Sequence, residues 1–126
     1  MFTGGSPTAR ADQRQSDSDT GPIMDVSRWS DRHDAGDPDA ETIRAELEER
    51  GYTVSRHVYR PGTYFDEHTH RHDKIDAVVS GRFRMTVAGD EVVLEPGDWA
   101  AVPAGTTHTA RVLGDEPVVS LDATRA

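Results

Sequence analysis

From Tyr52 onward the apolar residues recur every second position, and this constrains the fold more than any other feature of the chain. In the clearest stretch, Phe83, Met85 and Val87 alternate with Arg82, Arg84 and Thr86. A period of two belongs to strands with one face buried and one face wet. The pattern predicts strands near 52–60, 63–70, 74–80, 82–88, 91–95, 98–103, 107–113 and 117–122. Turn residues separate them. Pro61-Gly62 and Pro96-Gly97 suit type II turns, with proline at the second position and glycine at the third. Gly89-Asp90 suits a two-residue hairpin loop. Short strands at even spacing, with no helix between them, predict an all-β antiparallel barrel or sandwich.

Upstream the period changes. Residues 38–50, PDAETIRAELEER, place Ala40, Ile43 and Leu47 on one helical face. Asp37 is the expected N-cap, Pro38 the first helical residue and Gly51 the left-handed stop. The expected place for this helix is across an edge or mouth of the β structure. Residues 1–27 are rich in Ser, Thr, Gly, Asp and Gln without apolar periodicity, which predicts a disordered tail. Met24 offers an alternative start. The expected organisation is thus a tail over 1–27, an extension with one helix over 28–51, and a barrel over 52–122.

At 126 residues the prior is one domain. The net charge of −9 argues against nucleic acid and against an anionic membrane surface, both of which are bound by basic patches. No apolar run approaches the ~20 residues that span a bilayer. The N-terminus lacks the apolar core of a secretory signal, so a cytoplasmic location is expected. With no cysteine in the chain, disulfides, thiolate metal sites and cysteine nucleophiles are excluded.

The remaining chemistry lies in histidine. Three of the six fall within five residues, at His68, His70 and His72. Strand residues two apart share a face, so His68 and His70 can aim at one point. His108, which follows the Pro103-Ala104-Gly105 turn, is the candidate third ligand. Imidazole suits a divalent transition metal: Fe, Mn, Ni, Cu or Zn. Tyr64 and Asp66 share the phase of His68 and His70, which predicts that they line the same cavity. The plain alternative is that HTHRH forms a solvated edge strand.

Two spaced motifs resemble those of the cupin superfamily. The first is Gly62, five residues, His68-Thr69-His70, and later Gly81. The second is Gly97, five residues, Pro103-Ala104-Gly105, two residues, and His108. The resemblance implies a jelly-roll β-barrel holding a metal on inward side chains, a small-molecule ligand, and pairing of barrels into a homodimer. It extends to dioxygenases, isomerases, decarboxylases and non-catalytic binding or sensing modules. Two positions depart from the family pattern. Lys74, the only lysine, stands where a glutamate ligand is usual, and Val112 stands where an asparagine is usual. Three readings follow. The metal keeps three imidazoles while Lys74 turns away or holds an anionic substrate. Alternatively a nearby acid substitutes, Asp76 first, with Asp73 and His72 behind it. In the third reading metal binding is lost. Lys74, Tyr64 and His72 are the pocket candidates, and Arg71 a further anchor for a substrate carboxylate. A surface lysine paired with Asp73 or Asp76 is the plain account of Lys74.

Overall fold

The computed structural model describes residues 25–87 and 89–125. Among the described residues, nine strands and two helices follow in order: β1 (Asp25–Ser27), α1 (Trp29–Arg32), α2 (Ala40–Glu49), β2 (Thr53–Tyr59), β3 (Tyr64–His68), β4 (Asp73–Ser80), β5 (Arg82–Val87), β6 (Asp90–Leu94), β7 (Trp99–Val102), β8 (His108–Leu113) and β9 (Val118–Arg125). They form an antiparallel jelly roll of two sheets, one ordered β1-β7-β4-β9-β2 and the other β3-β8-β5-β6. The alternation read from the sequence is visible in burial. Phe83, Met85 and Val87 are buried, whereas Arg82 is exposed and Arg84 and Thr86 are half-buried.

Two apolar cores result. The first lies between the sheets and joins Val78, Phe83, Met85, Val87, Leu94, Val112 and Val118. The second lies on the outer face of the five-stranded sheet, where Ile43 and Leu47 of α2 pack on Ile75, Ala77, Trp99 and Leu121. The helix thus covers a sheet face, not an edge or mouth. Trp99 belongs to this second core, with the guanidinium of Arg32 stacked 3.7 Å from its ring centre.

The N-terminal part differs from expectation. Residues 25–27 of the expected tail form strand β1, paired with Trp99–Ala101 of β7; residues 1–24 lie outside the described residues. A second, short helix, α1, precedes α2. The cap of α2 is Asp39 rather than Asp37: its carboxylate accepts from Thr42 N at 2.8 Å and Thr42 Oγ1 at 2.9 Å. Asp37, two residues further back, is out of reach of the Thr42 N–H, because a capping side chain sits two or three residues before the N–H it receives. Among the described residues no helix is long and apolar enough to cross a membrane.

The turn predictions hold at the two Pro-Gly pairs. Gly62 and Gly97 adopt φ of 82° and 91°, and the closing bonds run from Thr63 N to Arg60 O and from Asp98 N to Glu95 O.

Candidate metal centre

Sheet register brings the first two imidazoles together. His68 ends β3 and His108 begins β8, and the two are direct cross-strand partners. Such partners stand with Cβ atoms ~5 Å apart on one face. His70 lies just beyond the end of β3. Its loop is tied to the turn before His108, since Gly105 N donates to His70 O at 2.9 Å. Ala104 N likewise donates to Asp73 Oδ1 at 3.0 Å. The Pro103-Ala104-Gly105 turn therefore holds both sides of the cluster.

The three rings stand with centroids 4.2 Å (His68–His108), 4.8 Å (His68–His70) and 5.1 Å (His70–His108) apart. One ring nitrogen from each falls within 4.8 Å of the others. Ligands at ~2 Å from one ion stand at most ~4 Å apart, so a small inward shift of the rings completes the grip on a single ion. Hydrogen bonds fix the tautomers. His68 Nδ1 meets Asp66 O at 2.6 Å and His108 Nδ1 meets Thr106 O at 2.9 Å. A carbonyl only accepts, so both Nδ1 atoms carry the proton, and both Nε2 atoms keep a lone pair. This is the arrangement that prepares imidazole for metal. His70 Nε2 is buried with no hydrogen-bond partner. A buried polar atom left unpaired is costly, and a metal ion would satisfy it. The donor set thus fits a divalent transition metal.

Burial lowers the pKa of His70, helped by the Lys74 charge, and burial lowers that of His108. Both rings are thereby held neutral, the form that ligates.

The histidines line a cavity of about 120 Å³. Its apolar wall is Phe65, Phe83, Ala110 and the ring of Tyr59; its polar wall is Lys74, Asp76 and Asp122. These charges project from the inner face of the five-stranded sheet, where apolar side chains would be expected. Lys74 Nζ bonds to Asp76 Oδ1 and lies 3.2 Å from Asp122 Oδ2. The side chains of Lys74, Asp76 and Asp122 are 12%, 10% and 18% exposed. Tyr59 Oη donates to Asp122 Oδ2 at 3.2 Å, and Ser120 Oγ donates to Asp122 Oδ1 at 2.8 Å. Burial and the Asp122 charge raise the Tyr59 pKa, so it stays a neutral donor. For Lys74 burial is the largest influence and acts downward, but the two carboxylates together outweigh it and the pKa ends above its ordinary value.

Several expectations need correction. Lys74 is neither turned away nor on the surface; it points inward, and Asp76 is one of its partners. Its ammonium is already shared by two carboxylates, which leaves it a poor anchor for an anionic substrate. Asp76 lines the cavity but is not part of the close nitrogen group. Asp73 instead faces Ala104 N and Arg125. Tyr64 is 48% exposed and outside the cavity, with Arg111 over its ring at 4.5 Å. The cause is a register shift between Phe65 and His68. An irregularity of that kind inverts the side-chain phase, so Phe65 points in and Tyr64 and Asp66 out. His72 and Arg71 are exposed in the loop after His70, and neither lines the cavity. Sequence reading missed Tyr59, Phe65, Phe83, Ala110 and Asp122. A usable signal existed for Asp122: it is an acidic residue on the inward phase of Val118 and Ser120.

The family model for the cupin domain matches residues 55–124. The chain belongs to the cupin family. This cupin finds no match among curated proteins, but solved structures resemble it. A protein of unknown function from Rhizobium leguminosarum bv. viciae 3841 is 27% identical, with a TM-score of 0.54 over 59% of this chain and 69% of that one. TT1209 from Thermus thermophilus is 30% identical, with a TM-score of 0.52 over 56% and 68%. The DMSP lyase DddQ from Ruegeria pomeroyi DSS-3 is 25% identical, with a TM-score of 0.55 over 60% of this chain but only 38% of the lyase. The cupin thus shares a barrel with proteins of different, and partly unknown, roles, and the barrel alone does not choose among them.

Proposed function

We propose that this cupin is a small-molecule metalloprotein in which His68, His70 and His108 hold one divalent transition metal: Fe, Mn, Ni, Cu or Zn. The observation that carries the reading is the unpartnered, buried Nε2 of His70 beside two imidazoles whose Nδ1 protons are committed to backbone carbonyls. Three protein ligands leave positions open for a substrate, and a metal so held supplies Lewis-acid or redox chemistry. The chain's own residues do the rest. Phe65, Phe83 and Tyr59 exclude water from one wall, and the Tyr59 hydroxyl and the Lys74–Asp76–Asp122 array present fixed polar groups on the other. At about 120 Å³ the cavity is well below the ~300 Å³ of drug-sized sites. The ligand is therefore a molecule of few heavy atoms. Catalysis of the dioxygenase or isomerase type is the form we favour, because a purely structural site would close all its positions. Two structural neighbours are DMSP lyases, which supports no more than the compatibility of such a barrel with catalysis.

The second reading is a non-catalytic binding or sensing module. It is favoured by the double neutralisation of Lys74, which leaves fewer groups free to move protons. A screen of small metabolites against the metal-loaded protein tests the proposal. The expected result is a ligand that raises the melting temperature of the loaded wild type and not of His108→Ala. Turnover of that ligand establishes the enzyme, and stabilisation without turnover establishes the module. A full screen with no response from the loaded protein would refute a small-molecule role.

A further inference from the structure

Placing a lysine beside three imidazoles that gather round one point works against binding a dication, since like charges repel strongly at short range in a partly buried site. Yet Lys74 is drawn into that cavity and held there by two carboxylates. One cation against two anions leaves the array one negative charge in excess. The sequence has no other lysine, and Asp76 and Asp122 are direct cross-strand partners on β4 and β9. Lys74 is two residues from Asp76 on the same inner face. The array is thus set by register and not by chance contact of flexible tips.

From this arrangement, and resting on the three-histidine reading above, we infer that Lys74 is a positioning residue that withholds the Asp76 carboxylate from the metal. It fixes the centre at three protein ligands and sets its affinity. Asp76 is the carboxylate best placed to become a fourth ligand: it is buried and lines the same cavity as His70 and His108. A free carboxylate there would be drawn to a dication. Bonded to Lys74, it contributes its charge at a distance while the coordination position it would fill stays open for substrate. Asp122 is held separately by Tyr59 and Ser120, so Lys74 controls Asp76 more than it controls Asp122.

Titration of the metal-free full chain with Co(II) tests this, with affinity and the visible d–d spectrum as readouts. Lys74→Met removes the cation and frees Asp76. Binding is expected to tighten at least tenfold with a changed spectrum, and adding Asp76→Asn is expected to abolish both effects. Because Lys74→Met leaves two carboxylates side by side and can compromise folding, Asp76→Asn alone provides an independent measurement. Its Co(II) spectrum is expected to match the wild type, since Asp76 is not a ligand there. A shifted spectrum in Asp76→Asn would show Asp76 already on the metal and overturn the inference. So would a folded Lys74→Met with wild-type affinity and spectrum. If the wild type itself takes up no Co(II), the three-histidine reading falls and this inference with it.

Discussion

Asp98 shows how much one side chain can organise. It is buried, and its carboxylate accepts from Arg28 Nη1 at 2.8 Å, Trp29 N at 3.0 Å and Glu95 N at 2.9 Å. It therefore closes its own turn and anchors the N-terminal segment in one act. Removing a buried charged acceptor strands its donors, so Asp98→Ala should cost ~3 kcal/mol in chemical denaturation; a change below ~1 kcal/mol would contradict this role. Its neighbour Gly97 serves the same junction. It sits at φ 91°, and a Cβ there would lie 2.5 Å from Trp29 Cβ and 2.9 Å from Pro38 Cγ. Gly97→Ala thus combines backbone strain with a clash, and a loss of ~2 kcal/mol or more is expected. Retained stability would mean that the segment yields easily. The imidazoles give a pH prediction. In metal-free protein the pKa values of His70 and His108 lie below the ordinary range, so as pH falls the unfolded chain takes up these protons first. Stability from these groups is fully present above pH ~6.5 and is lost as pH falls from there through the lower folded values. The urea midpoint of chelated protein should fall between pH 7.5 and 5.5, and fall less in His70→Ala/His108→Ala. Equal slopes in both proteins would rule these rings out as the cause.

At the scale of elements, α2 separates stability from chemistry. Ile43 and Leu47 are fully buried, but on the outer face of the sheet, away from the cavity. Leu47→Ala should cost ~2–5 kcal/mol while metal uptake at low temperature stays at the wild-type level. A parallel loss of metal would show that the helix supports the centre directly. This is also the scale at which the sequence was most and least legible. The strand positions and the helix were readable because their periods persist over many residues. Strand β1 was not, because three residues carry no period. The inward face of β3 was misread, since a register shift between Phe65 and His68 leaves no mark in the alternation. His68 and His108 were identifiable because two glycine-spaced motifs fix their positions. Tyr59 was not, because the pairing of β2 with β9 that carries it toward Asp122 joins distant segments; Asp122 was marked only by its acidic side chain on the inward phase of its own strand.

For the whole molecule, the jelly roll places buried charge where a structural barrel would place only hydrocarbon. One sheet's inner face carries Lys74, Asp76, Ser120 and Asp122, opposite the three histidines of the other sheet and its adjoining loop. Buried charge of this kind costs stability unless it is paired and hydrogen-bonded, as these groups are. The sign of the net charge was readable from composition alone, but the meeting of Lys74, Asp76 and Asp122 inside the barrel was not, because strand order brings those residues together. Elemental analysis of protein purified without an affinity tag or chelator reads the central proposition directly. One transition-metal ion per wild-type chain, absent from His70→Ala, is the predicted result. Protein that is metal-free as purified and refuses Fe, Mn, Ni, Cu and Zn alike would contradict it.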